Sequence, residues 1–137
     1  AMASYIGSRD DWDMALFELG INVIETWDGD RLYGQALAFL AAVLEARPYQ
    51  QVFVTDMYYN RYDFEGDKRA ARFRGAIQRC AAVLSGQYGG RLHYINGLEA
   101  MDTPQGLSSD GLHPSDLGHG MIAERLAGYM AEKKEVN

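Results

Sequence analysis

Two hydrophobic rhythms divide the chain. Short runs of apolar, β-branched and aromatic residues at 13–20 (DMALFELG), 51–59 (QVFVTDMYY) and 91–97 (RLHYING) have the character of strands. Glu18 is the odd member of the first run. Elsewhere apolar residues recur at spacings of three and four, the rhythm of a helix with one buried face. That pattern predicts helices over 28–48, 68–87 and 115–133. Asp28 or Asp30 can cap the first, and Pro48 ends it. Glycines at 89 and 90 end the second. Ala71, Phe73, Ile77, Cys80, Ala81 and Leu84 are the expected inner face of the second helix. Leu117, Met121, Ile122, Leu126 and Met130 are that of the third. Residues 2–12 read as the tail of a helix or a loop, 60–67 as a polar loop, and 98–109 as a connection.

The order is therefore strand, helix, strand, helix, strand, loop, helix. Such alternation argues for an α/β domain with a parallel sheet and helical crossovers. One domain spanning 1–137 is expected, without repeats or a linker. Ligands of such folds sit beyond the carboxyl ends of the strands. The segments 20–29, 56–66 and 110–113 should then open on one edge.

Composition narrows the function. The chain has 137 residues and a formal net charge of −6. A basic stripe is lacking, so nucleic acid is not an expected partner. The longest apolar run, 36–44, is far too short to cross a bilayer. Cys80 is the only cysteine, which excludes an intramolecular disulfide and a zinc site built on several thiolates.

The richest chemistry lies in 108–120, SSDGLHPSDLGHG, which packs Asp110, His113, Asp116 and His119 into ten positions. Three readings are open. Ser115 or Asp116 could cap the last helix. The four side chains, spaced by three, could hold a metal ion. Pro114 opposes this, because the residue before a proline is pushed to extended geometry and the side chains then diverge. Finally, Asp110 could orient His113 as a general base, in a loop turned by Gly111 and fixed by Pro114.

The segment DGLHPSDLGHGMIAERLA resembles the last sequence block of the SGNH (GDSL-type) hydrolases, D-G-x-H-P followed by a helix. LFELGIN, 16–22, resembles that family's third block, a strand ending in G-x-N. The resemblance covers about 13–133. It implies a three-layer, flavodoxin-like α/β fold, here cut down to strands three to five of the family's five. It also implies cleavage of a small-molecule carboxylic ester by a Ser–His–Asp triad, with no metal and no organic cofactor. Residue by residue, His113 would be the general base and Asp110 its orienting carboxylate. Asn22 would be an oxyanion donor, and Gly20 would let the chain turn out of its strand. Trp27, Tyr58, Tyr59 and Tyr62, on loops at the expected active edge, are candidates to line a substrate pocket.

The family's G-D-S block and the block supplying a second oxyanion donor are missing. Ser4 and Ser8 are the only serines upstream of the third block, and turn or capping duty suits them better. The chain alone is expected to be inactive, with its natural N-terminus missing, so the compartment stays open. In the family's strand order the run 14–19 would lose its neighbour and become an apolar edge. Such an edge is expected to pair with a second copy or with a separate N-terminal fragment. Two rival classes remain: a binding or assembly module that keeps only the fold, and a metal-dependent phosphoesterase using the Asp–His cluster.

Overall fold

The computed structural model describes residues 1–135. Strands β1 (Met14–Glu18), β2 (Gln51–Thr55) and β3 (Leu92–Ile95) form one parallel sheet in the order β1-β2-β3. Leu16 lies opposite Phe53, and Phe53 opposite His93. The helices are α1 (Met2–Ser8), α2 (Gly29–Ala46), α3 (Arg61–Phe64), α4 (Lys68–Gln87), α5 (Gly97–Ala100) and α6 (Asp116–Glu135). Parallel neighbours cannot be joined by a tight turn, and α2 and α4 serve as the two crossovers.

Alternation along β2 builds a core on each face of the sheet. Val52 and Val54 meet Leu40, Val43 and Leu44 of α2 and Phe73, Ile77 and Leu84 of α4. Phe53 points the other way, to Ile122 and Leu126 of α6 and to Met101. The result is three layers, helices on both faces of a parallel sheet, as expected. Each fully buried Leu, Ile or Phe contributes roughly 1.5–3 kcal/mol relative to exposure. Phe17 of β1 meets Phe39 of α2 edge-on, 5.0 Å between ring centres. Among the described residues β1 pairs only with β2, so its outer edge is open, and Leu16 on it is 38% exposed.

The helices begin as their chemistry dictates. Asp28 accepts the Arg31 amide at 2.8 Å at the start of α2, and Asp67 accepts the Arg69 amide at 2.8 Å at the start of α4. Of the two candidate caps for α6, Ser115 acts: its Oγ accepts the Gly118 amide at 3.3 Å. At the far end of α2, Arg91 donates to the carbonyls of Arg47 (2.8 Å) and Leu44 (3.0 Å), which the helix itself leaves unpaired.

The structure corrects several sequence expectations. The strand expected over 51–59 stops at Thr55, because Asp56 leaves the ladder to accept the Gly97 amide at 2.8 Å. The strand expected over 91–97 shortens to Leu92–Ile95, where Asn96 caps α5. The loop expected over 60–67 contains α3, held by a capping box between Asn60 and Asp63. Residues 2–12, expected as the tail of a helix or a loop, do carry a helix, α1, which packs on α2. Ala71 is exposed, and Ala70 takes the buried place. Leu117, expected inside, is 62% exposed, since α6 turns Ile122 and Leu126 to the sheet.

Candidate active site

All three post-strand loops gather at the carboxyl edge of the sheet. Gly20, at φ 131°, turns the chain out of β1. Any side chain there would be strained, and a Cβ would press on Met57 at 3.0 Å. A single 3-10 turn, Ile21–Val23, then presents Asn22. The second loop, after β2, carries Tyr58, Tyr59 and α3.

The third loop is a tightly closed turn. Leu107 and Pro114 form an antiparallel bridge, and the Ser108 amide donates to the His113 carbonyl at 2.8 Å. Gly111 sits at φ 69°, which a side chain would disfavour. Inside this turn Asp110 is fully engaged. Its Oδ1 accepts the amides of Leu112 (2.7 Å) and His113 (2.9 Å) and the Ser108 hydroxyl (2.9 Å). Its Oδ2 lies 2.7 Å from His113 Nδ1. These donors, the His113 ring first, hold the Asp110 carboxyl well below the usual carboxylate range. An ionised carboxylate accepts only, so His113 Nδ1 carries a proton and Nε2 faces outward. Nε2 lies 3.4 Å from the Asn22 side-chain oxygen, a long contact in which the amide could equally present its nitrogen.

The loops are tied to one another. Arg61 of α3 pairs with Glu25 of the first loop, and the Arg61 amide donates to the Gly111 carbonyl of the third at 2.7 Å. Tyr62 donates to Glu25 at 2.9 Å. The second loop is also pinned from below. Arg74 of α4 makes two bonds to Asp63, 2.6 and 2.7 Å, and donates to the carbonyls of Met57 (2.9 Å) and Tyr58 (3.0 Å). Buried Asp56 accepts from Tyr94 and the Gly97 amide, and Arg74 stands 3.9 Å away. Burial pushes the Asp56 carboxyl up while these partners pull it down.

Two cavities flank this arrangement. One, of about 200 Å³, is lined by Glu18, Ile21, Asn22, Tyr58, Leu112, His113, Pro114 and His119. The other, of about 310 Å³, runs from Glu18 and Asn22 along α2 past Trp27, Leu32, Ala36 and Phe39. His113, Asp110, Asn22, Gly20, Gly111, Pro114 and Tyr58 are thus brought together. Trp27 lines the second cavity and carries Arg31 over its ring at 4.7 Å. Tyr59 lines neither cavity: its amide donates to Met101, and its ring packs on the α6 side of the sheet. Tyr62 is buried under Arg61 and Arg69. Asp116 and His119 stand on α6, and His119 lines the first cavity together with His113. Among the described residues no three His, Cys, Asp or Glu side chains converge as a metal site would need. No described helix is long and apolar enough to cross a membrane.

Glu18 is the residue whose part sequence reasoning missed. Its misfit in an apolar strand was the available signal. Its Oε1 is enclosed and finds no hydrogen-bond partner. Burial pushes its carboxyl up to about 7; Asp56 adds to the rise, whereas the Ile21 amide and His113 oppose it. Burial likewise pushes the Tyr58 hydroxyl up to about 12.

No sequence family and no curated protein matches the chain. Solved structures do. The fold superposes on the salicylyl-acyltransferase SsfX3 from a tetracycline biosynthetic pathway with a TM-score of 0.79 at 19% identity, covering 97% of this chain and 41% of that one. A protein from Bacteroides ovatus described as a GDSL-like lipase gives 0.78 at 17%, covering 96% and 38%. A carbohydrate esterase family 3 protein from Talaromyces cellulolyticus gives 0.76 at 19%, covering 99% and 65%. The chain therefore carries an α/β fold of the SGNH/GDSL hydrolase type. It spans about two-fifths of the acyltransferase and lipase chains and about two-thirds of the esterase chain.

Proposed function

We propose that this chain is the carboxyl-terminal part of an SGNH-type serine esterase or acylhydrolase, supplying base, orienting carboxylate and one oxyanion donor. The observation that carries the reading is the alignment of Asp110 Oδ2, His113 and Asn22, at 2.7 Å on one side of the ring and 3.4 Å on the other. With Nδ1 protonated against Asp110, Nε2 is free to take the proton of an attacking hydroxyl. The Asn22 amide is placed beside it, where charge would build on the carbonyl oxygen of a carboxylic ester.

The nucleophile comes from outside this chain. Ser8 donates to the Tyr5 carbonyl, Ser108 to Asp110 and Ser115 to the Gly106 carbonyl; none of these hydroxyls is bonded to His113. A strand of an N-terminal fragment laid along the open edge of β1, through residues 14–19, would bring in the missing hydroxyl, whereas a second copy would cover the edge without supplying one. The cavity beside α2 would take that strand's apolar side chains. The isolated chain is then inactive.

The experiment is hydrolysis of p-nitrophenyl acetate together with fluorophosphonate labelling and intact mass. The isolated chain should show no turnover and no adduct. Adding an amino-terminal fragment of a relative bearing the G-D-S block should restore both, in a manner lost in His113→Ala. Fluorophosphonate adduct on a serine of this chain, with turnover, would sink the two-piece reading.

A further inference from the structure

The Ile21 amide engages the Glu18 carboxyl, but Glu18 Oε1 has no partner in the fold. Glu18 is the third side chain on the face of β1 that also carries Met14 and Leu16, where an apolar residue would suit the sheet better. A buried polar atom without a partner costs about 1–3 kcal/mol. Native structures retain few such atoms, and those retained call for a reason. The position supplies one. The roughly 200 Å³ cavity that Glu18 lines is lined also by His113, Pro114 and Asn22.

We propose that Glu18 is a second carboxyl of the site, a positioning residue that faces the His113 imidazole across the cavity and, when ionised, stabilises the ring in its charged form. The inference deepens the reading above, on which its catalytic meaning rests. Asp110 grips the ring through Nδ1 and already favours its charged form; Glu18 adds a second carboxyl from the cavity side. The groups facing it are few. From β2 and its loop come Asp56, which repels a second negative charge, and the Tyr58 hydroxyl. The 110–114 loop brings His113, and α6 brings His119. On the α2 side the neighbouring cavity presents only uncharged polar groups, those of Asn22, Trp27 and Gln35. The Ile21 amide and, to a smaller degree, His113 attract the Glu18 carboxylate, and His113 is the titratable one of the two. Glu18 therefore keeps its proton while the ring is neutral and releases it more readily once the ring is charged.

The test is a carbon-13 titration of the Glu18 side-chain carboxyl in the full chain, with the ring protons of His113 followed in parallel. In the unaltered chain the Glu18 carboxyl should titrate near 7. In His113→Gln it should hold its proton roughly three- to tenfold more tightly, the scale of one charge removed from a partly screened site. By reciprocity, Glu18→Gln should weaken proton binding to the His113 ring by the same factor. His93, on β3 and outside both cavities, serves as reference. His113 is exposed, so His113→Gln alters the site without disturbing the core, and the test rests on that variant. A Glu18 titration indifferent to His113→Gln overturns the inference. The measurement needs no turnover. Coupling without reconstituted esterase activity would remove the proposed function and leave this pair standing. Activity without coupling would do the reverse.

Discussion

His113 and Asp110 lie three positions apart in sequence, and the ring nitrogen of one stands 2.7 Å from the carboxylate of the other, with every remaining acceptor site of the carboxylate that faces the loop occupied by that loop's own donors. The pair is therefore fixed by local backbone. Replacing the carboxylate by an amide, Asp110→Asn, keeps the size but presents the wrong group to Nδ1. Reconstituted esterase activity should fall on the order of a thousandfold or more. In the isolated chain, nitrogen-15 shifts should show His113 losing its single tautomer.

The same donors set the acid limit of the loop. Asp110 is depressed in the folded chain, so its contribution is present above the ordinary carboxylate range and is lost only as pH falls through the lower folded value. The Leu112 and His113 amides should keep their hydrogen-bonded shifts through pH 4 (a round figure near the ordinary aspartate value, about 3.9) and change only in stronger acid. Amide spectra across that range check this. Changes centred on the ordinary value would contradict it.

Glu18 works with the opposite sign. Its folded carboxyl is raised to about 7, so the native chain holds a proton that the unfolded chain has lost. Native stability is untouched below the ordinary glutamate value and declines as pH rises towards and past the folded one. Glu18→Gln should thus gain on the parent between about pH 5 and 8, by up to about 3 kcal/mol. Urea titrations at several pH values read the difference directly.

Arg74 is a structural keystone of the second loop. It serves Asp63, two carbonyls and, at longer range, buried Asp56. Arg74→Met removes the cation and leaves two carboxylates and two carbonyls short of partners. A loss of about 3–5 kcal/mol in unfolding free energy is expected, the range for stripping one member from a buried pair. Adding Asp63→Asn should recover part of it, which a purely steric effect would not allow.

The open edge of β1 gives a prediction about assembly. Leu16→Lys places a charge on the exposed face of that strand, a common guard against edge pairing. Sedimentation should show less self-association than in the parent, with unchanged far-ultraviolet dichroism. A parent chain that is monomeric at every concentration would remove the second copy as the source of the covering strand.

Much of this was legible in sequence because each layer wrote its own period. The two crossover helices and the three strands follow from spacing, and D-G-x-H-P placed His113 and Asp110 in one loop. What escaped reading depended on tertiary partners. Met57, Tyr58 and Tyr59 look like strand, yet Asp56 has already turned the backbone to meet Gly97. The α3 capping box was spelled out as Asn60 and Asp63 within a stretch that composition alone marks as loop. Ala70 and Ala71 are indistinguishable by type, and only the helix phase separates them. For Glu18 the misfit was visible, but its enclosure required knowing that Leu112, His113 and Pro114 line the same cavity.

The contact between Asn22 and His113 spans 91 residues of chain. Two successive helical crossovers must dock before these side chains meet, so the pair has no meaning in any early folding species. On the ribosome, synthesis must pass residue 113 and the last helix must emerge before the pair can form. Long-range closure of this kind is slow relative to helix formation. The pairing of Asn22 with His113 is therefore one of the final events of folding, completed only after both crossovers have docked.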